Sequence, residues 1–253
     1  MFEQFFLLVG SIIANAMSAF AGGGAGLVQL PMILLMGLPF AEALATHKLV
    51  TVALGLGAFV RFWRERHLID FRFALFILLL GVLGAIVGAL VIVQVPETIA
   101  HISLSILIIG LGLYSLFKKG MGQDYCPKNR NALGFFVGGL VMFCLGVLNG
   151  SLTAGTGLFV TVFLVMWFGM DYQRAVAYTM TLVGIYWNLT GGVTLVVIGE
   201  PVYWVWVPVL LVGSFVGGYI GAHFGTLKGN KWIKVAFVSV TLLSGVSLLW
   251  KVF

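Results

Sequence analysis

The stretch from Gly22 to Lys48 reads GGGAGLVQLPMILLMGLPFAEALATHK and interrupts a chain that is otherwise strongly apolar. Its glycines and two prolines disfavour a continuous helix, although long apolar runs surround it. In hydrocarbon, a backbone amide that loses its helical partner costs several kcal/mol unless another group satisfies it. We therefore predict that this stretch is a broken helix beside a protein-enclosed or water-filled cavity.

The composition is that of a membrane protein. Hydrophobic residues make up 61% of the chain and charged residues 9%, with a mean hydropathy of +1.12. Soluble domains carry roughly 25% charged residues. The sequence therefore predicts an all-α polytopic protein of the cell inner (plasma) membrane, whose partner is the lipid bilayer. The net charge of +6 is expected to set orientation in the membrane, and no nucleic-acid partner is predicted.

The glycine pattern occurs twice. Gly24-Ala25-Gly26-Leu27 is repeated as Gly155-Thr156-Gly157-Leu158, and Gly84-Ala85-Ile86-Val87-Gly88-Ala89 is repeated as Gly217-Gly218-Tyr219-Ile220-Gly221-Ala222. A period of about 132 residues is too long for a solenoid unit and fits a duplicated transporter half. The glycine pairs within the second motif fit small-residue contacts between helices or between protomers. We assign them to packing, and a homodimer is one arrangement they allow.

Loop charges indicate that the two copies are inverted. The loop from Arg61 to Arg72 is rich in arginine, whereas its counterpart Gly199-Glu200-Pro201 carries no basic residue. The turn at Pro96-Glu97 is also without basic residues, whereas its counterpart, 228–234, contains three lysines. Under the positive-inside rule, equivalent loops then lie on opposite sides of the membrane. We predict a first transmembrane repeat at 1–117, a cytoplasmic linker at 118–131 and an inverted second repeat at 132–253.

Two apolar runs are short for a membrane crossing. The run from Leu27 to Leu38 has about a dozen residues, fewer than the roughly 17 to 25 that a crossing needs, and the run from Leu158 to Phe168 is similar. Arg174 favours a cytoplasmic loop at 170–174, so the segment 132–168 should cross an even number of times. Two crossings and a re-entrant hairpin both satisfy that condition.

These residues resemble a known family. The run GGGAGLVQLPMILLMGLPFAEALATHKLV, its second copy GTGLFVTVFLVMWFGMDYQRAVAYTM and the Ile69-Asp70 step after a basic loop resemble the TauE/SafE family of sulfite and organosulfonate exporters. The resemblance covers essentially the whole chain. It implies a two-repeat transporter that moves small sulfur-containing anions, commonly outward.

The glycine breaks also suit an anion on physical grounds. Helix N-termini present free amides and the positive end of the helix dipole, and glycine lets a ligand approach the backbone closely. The alternative interpretation is that these glycines only permit close helix packing. The residues that this argument places at a substrate site are Gly23, Gly24, Gly26, Thr153, Gly155, Thr156 and Gly157.

Lys48 is the strongest single candidate for substrate binding. It lies in an apolar run, where a lysine at the helix centre costs roughly 2.5 to 3.5 kcal/mol, and a bound anion or a wet cavity would offset that cost. Extension of the side chain toward the headgroups is the alternative. His47 could share a proton with the substrate or serve as a structural histidine.

The remaining candidates are neutral donors. Asn188 lies in the middle of an apolar run and could donate to an oxyanion or form an interhelical hydrogen bond. The second copy carries Ala177-Tyr178-Thr179-Met180 where the first has Ala45-Thr46-His47-Lys48, so only one half offers a cation. We therefore add Thr46, Tyr178, Thr179 and Asn188 to the predicted site.

Other function classes are less well supported by the sequence. The histidines His47, His67, His101 and His223 are scattered, and we predict no metal site, no cofactor and no enzymatic activity. A cation carrier would usually place acids within its spans, whereas the acids here fall at predicted ends and in loops. We predict export of sulfite or organosulfonates by alternating access around a midplane anion site. A transporter or channel for another small anion such as a carboxylate, or a cation carrier, is the alternative.

Overall fold

The computed structural model describes residues 2–91 and 121–250, together with a few positions between 106 and 117. All regular secondary structure in these ranges is helical. The predicted turn at Pro96-Glu97 and most of the predicted run 99–117 lie outside the described residues. The helices are α1 (Phe2–Ala21), α2 (Ala25–Leu35), α3 (Phe40–Phe62), a 3-10 helix (Trp63–Leu68), α4 (Phe71–Val91), α5 (Ala132–Ser151), α6 (Thr156–Phe168), α7 (Tyr172–Val197), α8 (Val207–Lys228) and α9 (Asn230–Trp250).

Six described helices, α1, α3, α4, α5, α7 and α8, are long and apolar enough to cross a membrane. This confirms the prediction of an all-α polytopic membrane protein. Helices α2 and α6 have 11 and 13 residues. At about 1.5 Å per residue they fall well short of a bilayer core of about 30 Å. The predicted helix breaks are therefore present in both halves.

Glycines allow α8 to pack directly on α1. A methyl group built on Gly217 would overlap the carbonyl oxygen of Ile12, and one built on Gly221 would overlap the carbonyl oxygen of Ala16. Such close approach is the usual role of small residues spaced four apart in membrane helices. The glycines assigned to packing thus form a helix contact within the chain.

Helices α4 and α5 form the matching contact. Gly84 packs on the carbonyl of Phe143 and Gly88 on the carbonyl of Val147. Phe143 and Val147 are the repeat counterparts of the two α1 residues that contact α8, at the spacing that separates Gly24 from Gly155. Each half therefore packs its glycine-bearing helix on the first helix of the other half, as two copies related by a two-fold operation would. Their inversion relative to a bilayer stays a prediction.

The two helix breaks contact each other in the interior, again through reciprocal pairs of residues from the two halves. Gly23 lies against the backbone of Gly157, and Gly26 lies against the backbone of Ala154. Ala154 and Gly157 are the repeat counterparts of Gly23 and Gly26, so the contact pairs are again reciprocal. A side chain at Gly23 would hold the starts of α2 and α6 apart.

The described part of the linker, residues 121–131, covers the end of α6. The Cys126 N–H donates to the Gly169 carbonyl at 2.9 Å and the Lys128 N–H to the Phe168 carbonyl at 3.1 Å. The Asn129 side chain donates to the Trp167 carbonyl at 2.8 Å. These bonds satisfy carbonyl groups that the end of a helix leaves without partners.

Candidate functional site

Helices α2 and α6 both begin at a glycine in the left-handed conformation. Gly24 precedes α2 with a φ of 100° and Gly155 precedes α6 with a φ of 73°. Among the described residues, no side chain caps either start. The first amides of a helix have no intrahelical partner, and the helix dipole is positive there. The fold therefore brings two uncapped, electropositive helix starts together, one from each half.

A small cavity of about 30 Å³ lies at these starts. It is lined by glycines, hydroxyl and amide side chains, one histidine and a few apolar residues, and its volume is about that of one water molecule. Its lining comprises Ser18, Gly23, Gly24, Ala25, Gly26, His47, Thr51, Leu54, Asn149, Thr153, Thr156, Gly157, Thr179, Met180, Val183, Gly184 and Asn188.

Nine of the residues predicted for the substrate site line this cavity. They come from α2, α3, α6, α7 and the breaks before α2 and α6, so residues distant in sequence are brought to one place. They are Gly23, Gly24, Gly26, His47, Thr153, Thr156, Gly157, Thr179 and Asn188. The other four, Thr46, Lys48, Gly155 and Tyr178, lie outside the lining in this conformation.

Lys48 lies directly behind the cavity wall. Its side chain is fully buried, and its ammonium donates to the backbone carbonyl of Asn149 at 2.5 Å. The side chain runs beside Gly191, where an added methyl group would lie 3.3 Å from Nζ. The lysine therefore does not extend toward the headgroups. Within the described part of the chain, no carboxylate forms an ion pair with it, so its charge faces the site without an acidic counterpart.

Asn149 connects the lysine to the cavity. Its backbone carbonyl accepts from Lys48 and also from the Thr153 hydroxyl at 3.0 Å. Its amide donates to the Thr156 hydroxyl at 3.0 Å and to Asn188 Oδ1 at 3.4 Å. The side-chain oxygen has no hydrogen-bond partner among the described residues. Asn149 is absent from the sequence prediction, although a polar residue just before the second glycine break marks the position.

Ser18 is the repeat counterpart of Asn149 and also lines the cavity. It is 2% exposed, and its hydroxyl also lacks a partner among the described residues. Buried polar groups are normally hydrogen-bonded. The Ser18 hydroxyl therefore leaves a donor for a ligand, whereas the Asn149 Oδ1 leaves only an acceptor.

His47 and Thr51 complete the wall contributed by α3. The Thr51 hydroxyl donates to the His47 carbonyl at 2.6 Å, and the His47 ring lies against the start of α2, where a methyl group on Gly26 would be 3.3 Å from Nε2. Thr161 Oγ1 lies 2.6 Å from the Gly22 carbonyl oxygen and 2.9 Å from Thr179 Oγ1, so its single hydrogen can be donated to either. This hydroxyl ties the first glycine break to α6 and α7.

The predicted residues outside the lining contact other parts of the protein. The Thr46 hydroxyl accepts from the Tyr203 N–H at 3.0 Å. The Tyr178 hydroxyl accepts from the Asp70 N–H at 2.6 Å and donates to the Asp70 carbonyl at 3.2 Å. Gly155 forms the left-handed turn before α6. In this conformation Thr46 and Tyr178 hold neighbouring segments of the chain in place, and Gly155 shapes the start of α6.

Secondary transporters typically have two repeats, each of which contributes a short helix that begins at a shared interior cavity. The fold and the site thus define a polytopic helical membrane transporter. The chain belongs to the sulfite exporter TauE/SafE family, whose model matches residues 6–248.

Relatives of this chain are named as transporters. A probable membrane transporter protein of Haemophilus influenzae is 31% identical over 91% of this chain and 88% of its own length. The probable membrane transporter protein YfcA of Escherichia coli is 29% identical, covering 95% and 87%. The probable membrane transporter protein YdhB of Bacillus subtilis is 26% identical, covering 96% and 99%. No solved structure matches the chain.

Proposed function

We propose that this transporter moves sulfite or small organosulfonates outward across the cell inner membrane, and that it binds them where α2 and α6 begin. The observation that carries the proposal is the meeting of two uncapped helix starts at one buried cavity. Amides of both starts can donate to a tetrahedral or pyramidal oxyanion, and both dipoles favour its negative charge.

Lys48 supports an anionic substrate. Its buried ammonium contacts the carbonyl of Asn149, which lines the cavity. A buried charge is costly unless it is paired. An anion beside Asn149 would supply the missing negative charge, and the Thr179 hydroxyl would supply a neutral donor.

The small volume of the cavity supports alternating access. A volume of about 30 Å³ holds about one water, so a substrate with three oxygens requires the helix starts to separate. The Gly23 and Gly157 backbones form the contact that must open. Because each half contributes one start, rocking of one half against the other would widen the cavity toward one side at a time.

Anion binding to purified protein tests this function. We expect sulfite and methanesulfonate to bind more tightly than acetate by isothermal titration calorimetry. Lys48→Met removes the charge while keeping much of the side-chain volume, and we expect it to weaken sulfite binding at least tenfold. Thr241→Val is the matched control, since this buried hydroxyl only donates to the Phe237 carbonyl of its own helix.

Tighter binding of acetate than of the sulfur oxyanions would favour a carboxylate transporter instead. Absence of binding for all three anions, or unchanged sulfite affinity in a folded Lys48→Met protein, would contradict the proposal.

A further inference from the structure

A second group of buried polar side chains lies between α1, α2 and α8, outside the cavity described above. It consists of Ser11, Asn15, Gln29 and Ser214, and each of these residues is fully buried. None of the four lines the anion cavity. The group lies in an otherwise apolar helix interface and has no part in the proposed anion site.

Two amide oxygens of this polar group have no hydrogen-bond partner among the described residues. The Asn15 amide nitrogen donates to the Ser11 carbonyl at 2.7 Å, which fixes the orientation of the amide, and it also lies 3.2 Å from the Ser11 hydroxyl and 3.1 Å from the Ser214 hydroxyl. Its Oδ1 has no partner among the described residues. The Gln29 amide nitrogen lies 2.7 Å from the Ser11 hydroxyl and 3.2 Å from the Ser214 hydroxyl, and its Oε1 is likewise unpartnered within the described ranges. Buried amide oxygens without partners are costly.

The second half of the chain shows that the interface does not need these polar groups. The repeat counterparts of Ser11, Asn15, Gln29 and Ser214 are Met142, Gly146, Val160 and Gly81. Helices α4 and α5 nevertheless pack by the same reciprocal glycine contacts as α8 and α1. A polar group present in only one of two equivalent interfaces points to a ligand rather than to packing.

We propose that this polar group binds a monovalent cation, of which sodium is the best match. The available ligands are the Gln29 amide oxygen, the two serine hydroxyls and the Leu210 carbonyl, whose oxygen lies 3.3 Å from Ser11 Oγ. The Asn15 amide keeps its nitrogen toward the hydroxyls and is not counted among them. Oxygen ligands suit hard cations. No carboxylate belongs to the described group, so a single positive charge suits it better than two.

The spacing of the ligands agrees with a cation of that size. When oxygen ligands lie about 2.4 Å from a hard cation in octahedral geometry, neighbouring oxygens are about 3.4 Å apart. The Ser11 and Ser214 hydroxyl oxygens are 3.3 Å apart. A half-turn of the Gln29 amide exchanges its nitrogen and oxygen and places Oε1 2.7 Å from the Ser11 hydroxyl and 3.2 Å from the Ser214 hydroxyl. The first distance is shorter than the octahedral spacing, so binding of a cation requires the Ser11 and Gln29 side chains to move slightly apart.

The cation site lies close to the anion cavity along both helices that build it. Asn15 precedes the cavity residue Ser18 by three residues on α1, and Gln29 follows Gly26 by three on α2, a rise of about 4.5 Å in each case. A cation there would attract an anion in the cavity. This coupling rests on the proposed function, whereas the cation site itself does not.

Thermal unfolding of the purified protein without any added anion other than chloride tests the cation site. Chloride salts of sodium, potassium and N-methylglucamine are compared at equal ionic strength. We expect sodium to raise the unfolding temperature saturably, by roughly 5 °C at a concentration far above its dissociation constant. Because no sulfur oxyanion is present, the result is independent of the proposed substrate.

Two variants localise the effect. Ser214→Ala removes one ligand, and Gln29→Val introduces the residue found at the equivalent position of the second half. We expect each to remove most of the sodium-dependent shift, whereas the control Thr241→Val retains it. Equal unfolding temperatures in the three salts, or a full sodium shift in both folded variants, would overturn the proposal and leave a simple hydrogen-bonded network.

Discussion

The ammonium of Lys48 donates to the backbone carbonyl of Asn149 at 2.5 Å, which joins a helix of the first half to the end of a helix of the second. The same Asn149 presents its side chain to the cavity between the two helix starts. Lys48, which belongs to the first half, is therefore connected to a cavity that residues of both halves line.

Asn149→Asp should abolish anion binding without disrupting the fold. The change keeps the shape of the side chain but places a carboxylate where the anion is proposed to bind. Two like charges about 5 Å apart repel by roughly 3 kcal/mol at an effective dielectric constant of 20, so we expect about a 100-fold loss of sulfite affinity, measured by calorimetry. Asn131→Asp is the control, because Asn131 caps α5 and aspartate caps equally well. Undiminished affinity in Asn149→Asp would exclude this residue from the site.

Gly23→Ala should destabilise the protein much more than Gly37→Ala. Both glycines have positive φ, 142° and 98°, but an added methyl group overlaps the Gly157 backbone at the first and meets nothing within 4 Å at the second. We expect a cost of about 1–2 kcal/mol for Gly37→Ala from backbone strain alone, and about 3–5 kcal/mol for Gly23→Ala. Thermal unfolding of the two variants measures the difference. Equal unfolding temperatures would show that the helix starts are not in contact.

Gly88→Ala and Gly221→Ala should destabilise the protein by similar amounts, since each adds a methyl group to one of two equivalent interfaces. We expect about 1–3 kcal/mol for each and near-additive effects in the double variant, because the sites are separate. Gly110→Ala is the control, since no residue that the structure describes lies within 4 Å of its added methyl group. A large effect at only one of the two interfaces would contradict their equivalence.

Arg64 and Glu200 should lie on opposite sides of the membrane if the two repeats are inverted. Single cysteines at these positions, in a variant lacking Cys126 and Cys144, can be labelled in intact cells with a membrane-impermeant reagent. We expect labelling at position 200 and not at position 64. Labelling of both from the same side would exclude inversion.

Much of the fold could be predicted from the sequence because hydropathy and glycine patterns are local properties. Apolar runs of spanning length predicted the long helices, and the repeated glycines of 24–27 and 155–158 predicted the two breaks. The packing role of Gly84, Gly88, Gly217 and Gly221 followed from their spacing of four residues.

The candidate site was predictable only where a residue type was unusual for its surroundings. Glycines at the breaks and a histidine in an apolar helix are conspicuous, and they line the cavity. Ser18 and Asn149 lie within ordinary apolar helices, and only the tertiary structure shows that they line the cavity. The position of Lys48 behind Asn149 likewise depends on a tertiary contact between residues 101 apart in the chain.

The most direct test of the central claim is an experimental structure of the protein with selenite, a heavier analogue of sulfite whose selenium can be located by anomalous scattering. We predict a single strong peak between Gly24 and Gly155, within hydrogen-bonding distance of amides from the first turns of both α2 and α6. A selenium peak elsewhere in the protein, with this cavity closed and empty, would contradict the claim that the paired helix starts hold the transported anion.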